Sequence, residues 1–349
     1  MNKYQRESQI ELLRIIAMFC ILFWHVKSHF MGDMVDYHNI YISLLMPIIS
    51  IHVNLFVLIS GYFGISLKIK SLYILWAATF FYALINIFVD TCVPLDILSN
   101  KSILYQLLFP LSNCDWWFIK VYVLLIFCSP LLNYIIDNLK SKRQWYKVLS
   151  IILILNFYFS FLHKSEYIAM DGADLMNFIT LYFIGRYISI VGVNIKRSKI
   201  VVIILSIILL KTLLLALGYY SDEIKSYLFL NSYNNPINVI YAAFVFLFFA
   251  SLKFKSKLIN SVGVSALAVY LLTDHIVIRS FFRNVFNEYF HYISNYNQII
   301  VFFILLMFAI ILFILTIFID KIRLLLFYPI DKIISKISGK YYLMKYKVE

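Results

Sequence analysis

The chain has little of what a soluble enzyme needs. Only 14% of its 349 residues are charged and 62% are hydrophobic, with a mean hydropathy of +0.85; soluble domains carry about 25% charged residues. A soluble fold is excluded, and an integral membrane protein is left. Six prolines and nine glycines provide no Pro- or Gly/Ser-rich linker, so no second domain is marked off. Four cysteines are too few and too scattered for a disulfide framework or a spaced metal site. Cys20 and Cys128 lie in apolar runs, where a thiol behaves as a small hydrophobe, while Cys92 and Cys114 flank one expected outer loop and can bridge in an oxidising compartment. Acidic residues number 18 against 31 Lys and Arg, a net charge of +13. Because the bases fall in small clusters between apolar runs, they indicate membrane topology and no nucleic-acid partner. Walker, Rossmann, His-Glu-x-x-His and Gly-x-Ser-x-Gly patterns are all missing. ATP-driven transport, redox chemistry and serine hydrolysis therefore lack support.

What is present is a series of apolar runs near 10–26, 41–63, 71–90, 116–136, 146–163, 173–192, 199–217, 236–252, 262–281 and 298–326. Several reach the roughly 20 residues that span about 30 Å of hydrocarbon as a helix. The expected fold class is all-α, a polytopic membrane protein of about ten transmembrane helices. Lys3/Arg6, Lys68/Lys70, Lys140/Lys142/Arg143/Lys147, Lys196/Arg197/Lys199 and Lys253/Lys255/Lys257 fill every second connection, and the C-terminal tail is lysine-rich. Both termini are therefore expected in the cytoplasm. The first run follows basic residues as a signal peptide would, but it lacks a small-residue cleavage site and reads as a retained helix. A single membrane domain is expected over 1–349: a short cytoplasmic segment (1–9), the bundle (10–326) and a basic amphipathic tail (327–349) suited to anionic lipid.

Ionisable residues inside a bilayer are costly and by default mark a function, a wet cavity or a pair. The first run, "RIIAMFCILFWHV", carries Arg14 and His25. At about 100° per residue they stand some 20° from alignment, roughly 16 Å apart along one face. That stripe can line a path through the membrane. Equally, Arg14 can snorkel and pair with Glu11 at i−3 while His25 touches the interface. His52 and Lys211 are further intramembrane candidates, each with a plain structural reading.

"ELLRIIAMFCILFWH" resembles the first-helix signature of the acyltransferase-3 membrane family, an Arg followed by a His. "NLFVLISGYF" (54–63), "WWFIKVYVLLIFCSPLLN" (116–133) and "VGVSALAVYLLTDHIVIR" (262–279) resemble its second, Trp-Phe and late Tyr-Leu helices, in the same order. The resemblance implies transfer of an acyl group, commonly acetyl from cytosolic acetyl-CoA, to a hydroxyl of a surface or exported polysaccharide, in the cytoplasmic membrane of a bacterial cell. His25 would be the general base and Arg14 would hold the donor. No metal cofactor is implied. Lys68 and Lys70 are positioned for CoA phosphates, although the family often has arginines in that loop. Ser60 and Gly61 suit either a pantetheine contact or close helix packing. Asp115, Trp116 and Trp117 suit a sugar platform or an interfacial aromatic belt. Asp274 and His275 can face the acceptor; Asp274 can also orient His25 or pair with Arg279. The competing readings are a flippase or exporter of lipid-linked glycan, and a glycan polymerase. An exporter would not need the Arg/His stripe, and a polymerase usually carries a large external loop, whereas the loops expected here are short.

Overall fold

The computed structural model describes residues 6–31, 39–93, 95, 97–112, 115–162, 171–220, 232–294 and 296–345. Those residues form helices and no strand. All ten apolar runs fall on helix. Seven helices are long and apolar enough to cross a membrane, or eight if one bent pair counts as a single span, and two shorter apolar helices, Leu175–Ile190 and Pro236–Ala250, accompany them. The chain is a polytopic helical membrane protein.

α1 (Ser8–His25) runs on into a π-helical turn, Val26–Phe30. The second apolar run is one span broken in the middle into α2 (Ile40–Ile49) and α3 (His52–Phe63). Pro47 lies just before the break and can neither donate to the helix nor fit beneath the preceding carbonyl. The freed Pro47 carbonyl accepts from Ser50 Oγ at 3.1 Å and from Lys211 Nζ at 2.7 Å. Lys211, on α9 (Arg197–Tyr220), also donates to Asn238 Oδ1 at 2.6 Å and to Ser50 Oγ. It is fully buried. Lys211 thus does not snorkel: its ammonium satisfies a broken backbone that lipid could not.

The centre of the bundle is α1 with α2 and α3: 72% of the apolar window in Ile40–Phe63 is buried, against 11% for Arg197–Leu217 on the periphery. α3 crosses α8 (Leu175–Ile190) with backbones touching. A Cβ on Gly61 would lie 2.6 Å from the Tyr182 carbonyl, and one on Gly185 2.6 Å from the Leu58 carbonyl. Small residues permit that approach. Gly61 is accordingly a packing residue turned to α8, and the expectation that it touches a donor is corrected.

The late apolar run is not one straight helix. Lys257–Thr273 and Ile276–Tyr289 meet at 71°, and the break falls on Asp274 and His275. With α10 as Pro236–Ala250, we label this region α11 (Lys257–Val264), α12 (Ala266–Thr273) and α13 (Ile276–Ser294). α4 (Ile69–Cys92), α5 (Asn100–Leu108), α6 (Trp117–Asp137) and α7 (Lys142–Ile154) lie between α3 and α8. α14 (Gln298–Lys345) closes the chain. The break between α12 and α13 brings a carboxylate to the last turn of α1.

Candidate active site

His25 is buried at the end of α1. Its Nδ1 is 2.9 Å from Thr273 Oγ1 and its Nε2 is 3.3 Å from Asp274 Oδ1. Thr273 Oγ1 donates its only proton to the Val269 carbonyl at 2.7 Å, and while it does so it can only accept toward His25. Nδ1 then carries the ring proton and Nε2 is the basic nitrogen; when the hydroxyl turns to Nδ1 instead, the proton sits on Nε2 against Asp274. This differs from a Ser-His-Asp arrangement, in which the carboxylate meets Nδ1–H and Nε2 faces the substrate. Here a threonine meets Nδ1, and the carboxylate adjoins Nε2.

Asp274 is near His25 and Arg279 at once, the two partners that the sequence offered as alternatives: Arg279 donates to the same Oδ1 that faces His25, and the Tyr270 hydroxyl also bonds the carboxylate. His29, one turn beyond His25, has its Nε2 3.7 Å from that oxygen and its ring centroid 5.2 Å from that of His25. His29 is the more open of the two, with 31% of its side chain exposed. Ligand atoms of His25, His29 and Asp274 lie within 4.8 Å of one another, a spacing one cation can share. Arg279 already supplies positive charge there.

Arg14 is elsewhere on the same helix. Its Nη1 donates to both oxygens of Glu11, at 2.9 and 2.8 Å, so the i−3 pairing is real. Glu11 also accepts from Arg6 at 3.1 Å, and it is wedged against Gly263, where a Cβ would collide with its carboxylate. Arg14 nevertheless lines a cavity of about 460 Å³ with Ser60, Lys68, Tyr122, Asp320 and Arg323. His25 is not among its lining residues. The cavity and the histidine share α12: Leu267 and Ala268 wall the cavity, and Thr273 lies about 7.5 Å further along that helix axis. Three rings bridge the interval, with Tyr122 stacked on Phe118 at 5.7 Å, Phe118 against Tyr270 at 5.8 Å and Tyr270 against His25 at 6.0 Å. The stripe on α1 thus runs from a cavity at Arg14 to a buried histidine, with aromatic side chains between them.

A family model described as an acyltransferase domain matches residues 7–319. The chain belongs to the acyltransferase-3 family. No curated protein and no solved structure matches it. It is therefore a membrane acyltransferase, and the match includes Arg14, His25 and Asp274.

The remaining expected site residues divide in this acyltransferase. Ser60 lines the cavity and shares a 3.2 Å hydrogen bond with the Tyr122 hydroxyl. Lys68 lines it as well, whereas Lys70, exposed on the first turn of α4, does not. Trp116 is not a sugar platform. It is buried, its Nε1 donates to the Leu271 carbonyl at 3.0 Å, and its ring meets His275 edge-on at 5.5 Å. It holds the chain start of α6 to α12. His275 is fully buried behind it, its Nδ1 accepting from Val277 N at 3.3 Å, so neither offers a face to an acceptor. Trp117 is half-buried and stacked on Tyr233 at 5.8 Å, and Asp115 is exposed. His52 is buried between Trp24 and Tyr233. Cys92 is exposed, but Cys114 lies outside the described residues. Sequence reasoning missed Thr273, His29, Tyr122 and Arg323. His29 alone had a signal, standing four residues after His25, one helical turn.

Proposed function

We propose that this acyltransferase moves an acyl group, acetyl in the simplest case, from cytosolic acyl-CoA to a hydroxyl of a surface or exported polysaccharide, with His25 as general base. The observation that carries the reading is the buried His25 ring held between Thr273 Oγ1 at Nδ1 and Asp274 Oδ1 at Nε2; in the productive tautomer Thr273 accepts from Nδ1–H and Nε2 is basic. Nε2 takes the proton of the acceptor hydroxyl as its oxygen attacks the thioester carbonyl. The C–S bond breaks, the proton passes to the departing thiolate, and free CoA and an O-acyl ester result. Asp274 stabilises the imidazolium formed between these steps, and Arg279 holds Asp274 in position.

The donor belongs in the Arg14 cavity, whose volume is within the range of small-molecule sites. Arg14 and Lys68 supply charge for its phosphates. On this reading the Lys68 end of the bundle and both chain termini face the cytoplasm of a bacterial cell, and the acceptor approaches from the His29 side. Trp117 and Asp115 are retained as acceptor contacts, an exposed carboxylate beside a half-buried ring.

Comparing surface-glycan O-acylation by NMR in deletion, wild-type and Arg14→Ala cells tests the reading. Ester signals present only in the wild type are expected. Identical spectra in all three would remove the glycan, and glycan that is fully acylated yet retained inside deletion cells would favour export.

A further inference from the structure

The cavity holds a second arginine that neither the motif resemblance nor the family match reaches. Arg323 lies on α14, beyond the matched residues 7–319, yet it lines the cavity together with Arg14 and Lys68. The two arginines are built alike. Arg14 is three residues after Glu11 and bonded to it; Arg323 is three residues after Asp320, to which its Nε donates at 2.6 Å and its Nη2 at 3.3 Å. Tyr82 donates to the same Asp320 carboxylate at 3.3 Å. Each carboxylate occupies one part of a guanidinium. Nη1 of Arg323, and Nε and Nη2 of Arg14, have no hydrogen bond to a described residue.

A buried arginine tied by one edge to a carboxylate is oriented, and its other donors suit a second anion, which guanidinium binds with two parallel bonds. Asp320 and Arg323 are both more than nine-tenths buried, so the anion they meet is taken from water into a weakly screened site. The cavity lining carries three cations, Arg14, Lys68 and Arg323, against one carboxylate, Asp320. That balance favours a ligand with more than one negative charge. We propose that Arg323 is the second anion-binding arginine of this cavity and grips a phosphate of the donor from the last helix as Arg14 does from the first. The inference rests on the acyl-CoA reading for the identity of the ligand. It accounts for a phosphate site in a chain whose loop between α3 and α4 has one lysine, Lys68, and no arginine.

The test uses the full chain in phosphatidylcholine nanodiscs, titrated with CoA and, separately, with inorganic pyrophosphate. Arg323→Gln is expected to weaken CoA binding roughly ten- to hundredfold, with Arg323→Lys recovering part of the loss. Lys321→Gln removes a cation from the same helix, one that bonds the Ser261 carbonyl outside the cavity, and is expected to change affinity less than about twofold. Thermal melts of each variant report folding. Pyrophosphate binding that Arg323→Gln weakens, in a protein that binds no CoA, would keep the anion site and remove the donor reading. If wild type and Arg323→Gln bind CoA equally, or if wild type binds neither titrant, the inference is overturned. A loss of CoA affinity on adding phosphatidylglycerol, abolished by Arg323→Gln, would assign the site to a lipid phosphate and overturn the donor assignment.

Discussion

Thr273→Val removes a hydroxyl oxygen and adds a methyl of nearly the same size, so the core around α12 keeps its volume. What changes is the histidine. In the productive tautomer proposed above, Thr273 Oγ1 accepts from His25 Nδ1–H at 2.9 Å, and the ring is buried, so without it a donor is left unpaired at a cost of about 1–3 kcal/mol. The ring avoids that cost by moving its proton to Nε2, where Asp274 Oδ1 accepts it at the present 3.3 Å spacing. The preferred tautomer then has no lone pair on the reacting side. At about 1.4 kcal/mol per factor of ten, the productive tautomer becomes roughly 5- to 150-fold scarcer, and kcat should fall by that factor. The assay is transfer of labelled acetyl from acetyl-CoA to glycan by protein in nanodiscs, with CoA affinity measured on the same preparation. Unchanged CoA affinity with a reduced kcat is expected, and Thr273→Ser should restore most of the rate. A Thr273→Val protein working within twofold of wild type would refute the tautomer argument.

Gly61→Ala should destabilise the bundle, since its Cβ would stand 2.6 Å from the Tyr182 backbone oxygen; about 1–3 kcal/mol is expected for such overpacking, read as a lowered melting temperature and poor yield, and an unaltered melt would contradict the α3/α8 contact. Trp116→Phe removes the hydrogen bond to Leu271 but leaves a ring against His275, so stability should drop by about 1 kcal/mol while the KM for the acceptor stays put. A raised acceptor KM with unchanged stability would return Trp116 to the acceptor surface.

The ten apolar runs were legible because helix spans and lysine clusters are local properties of the chain, and each run proved helical. The two interruptions were not. Pro47 marks the first only as a weak signal, because a proline inside a membrane helix is tolerated wherever neighbours satisfy the freed backbone groups, and here the Pro47 carbonyl left open by the break is met by Lys211, far along the chain. The bend at Asp274 depends on tertiary contacts that bring His25 and Arg279 to one oxygen; sequence offered these as alternatives, and the geometry uses both. Trp116 was grouped with Trp117 because they are adjacent, yet neighbouring positions at a helix start point about 100° apart. One turned inward and the other met Tyr233. Arg323 had no motif, and only folding brings it to Arg14.

On the proposed reading His25 supplies the base and no part of the donor site. His25→Ala protein, with CoA binding and acetyl transfer measured on one preparation, tests it most directly. Wild-type CoA affinity, with transfer lowered on the order of 10²- to 10⁴-fold, is the predicted result. Transfer at the wild-type rate by a His25→Ala protein that still binds CoA would contradict it.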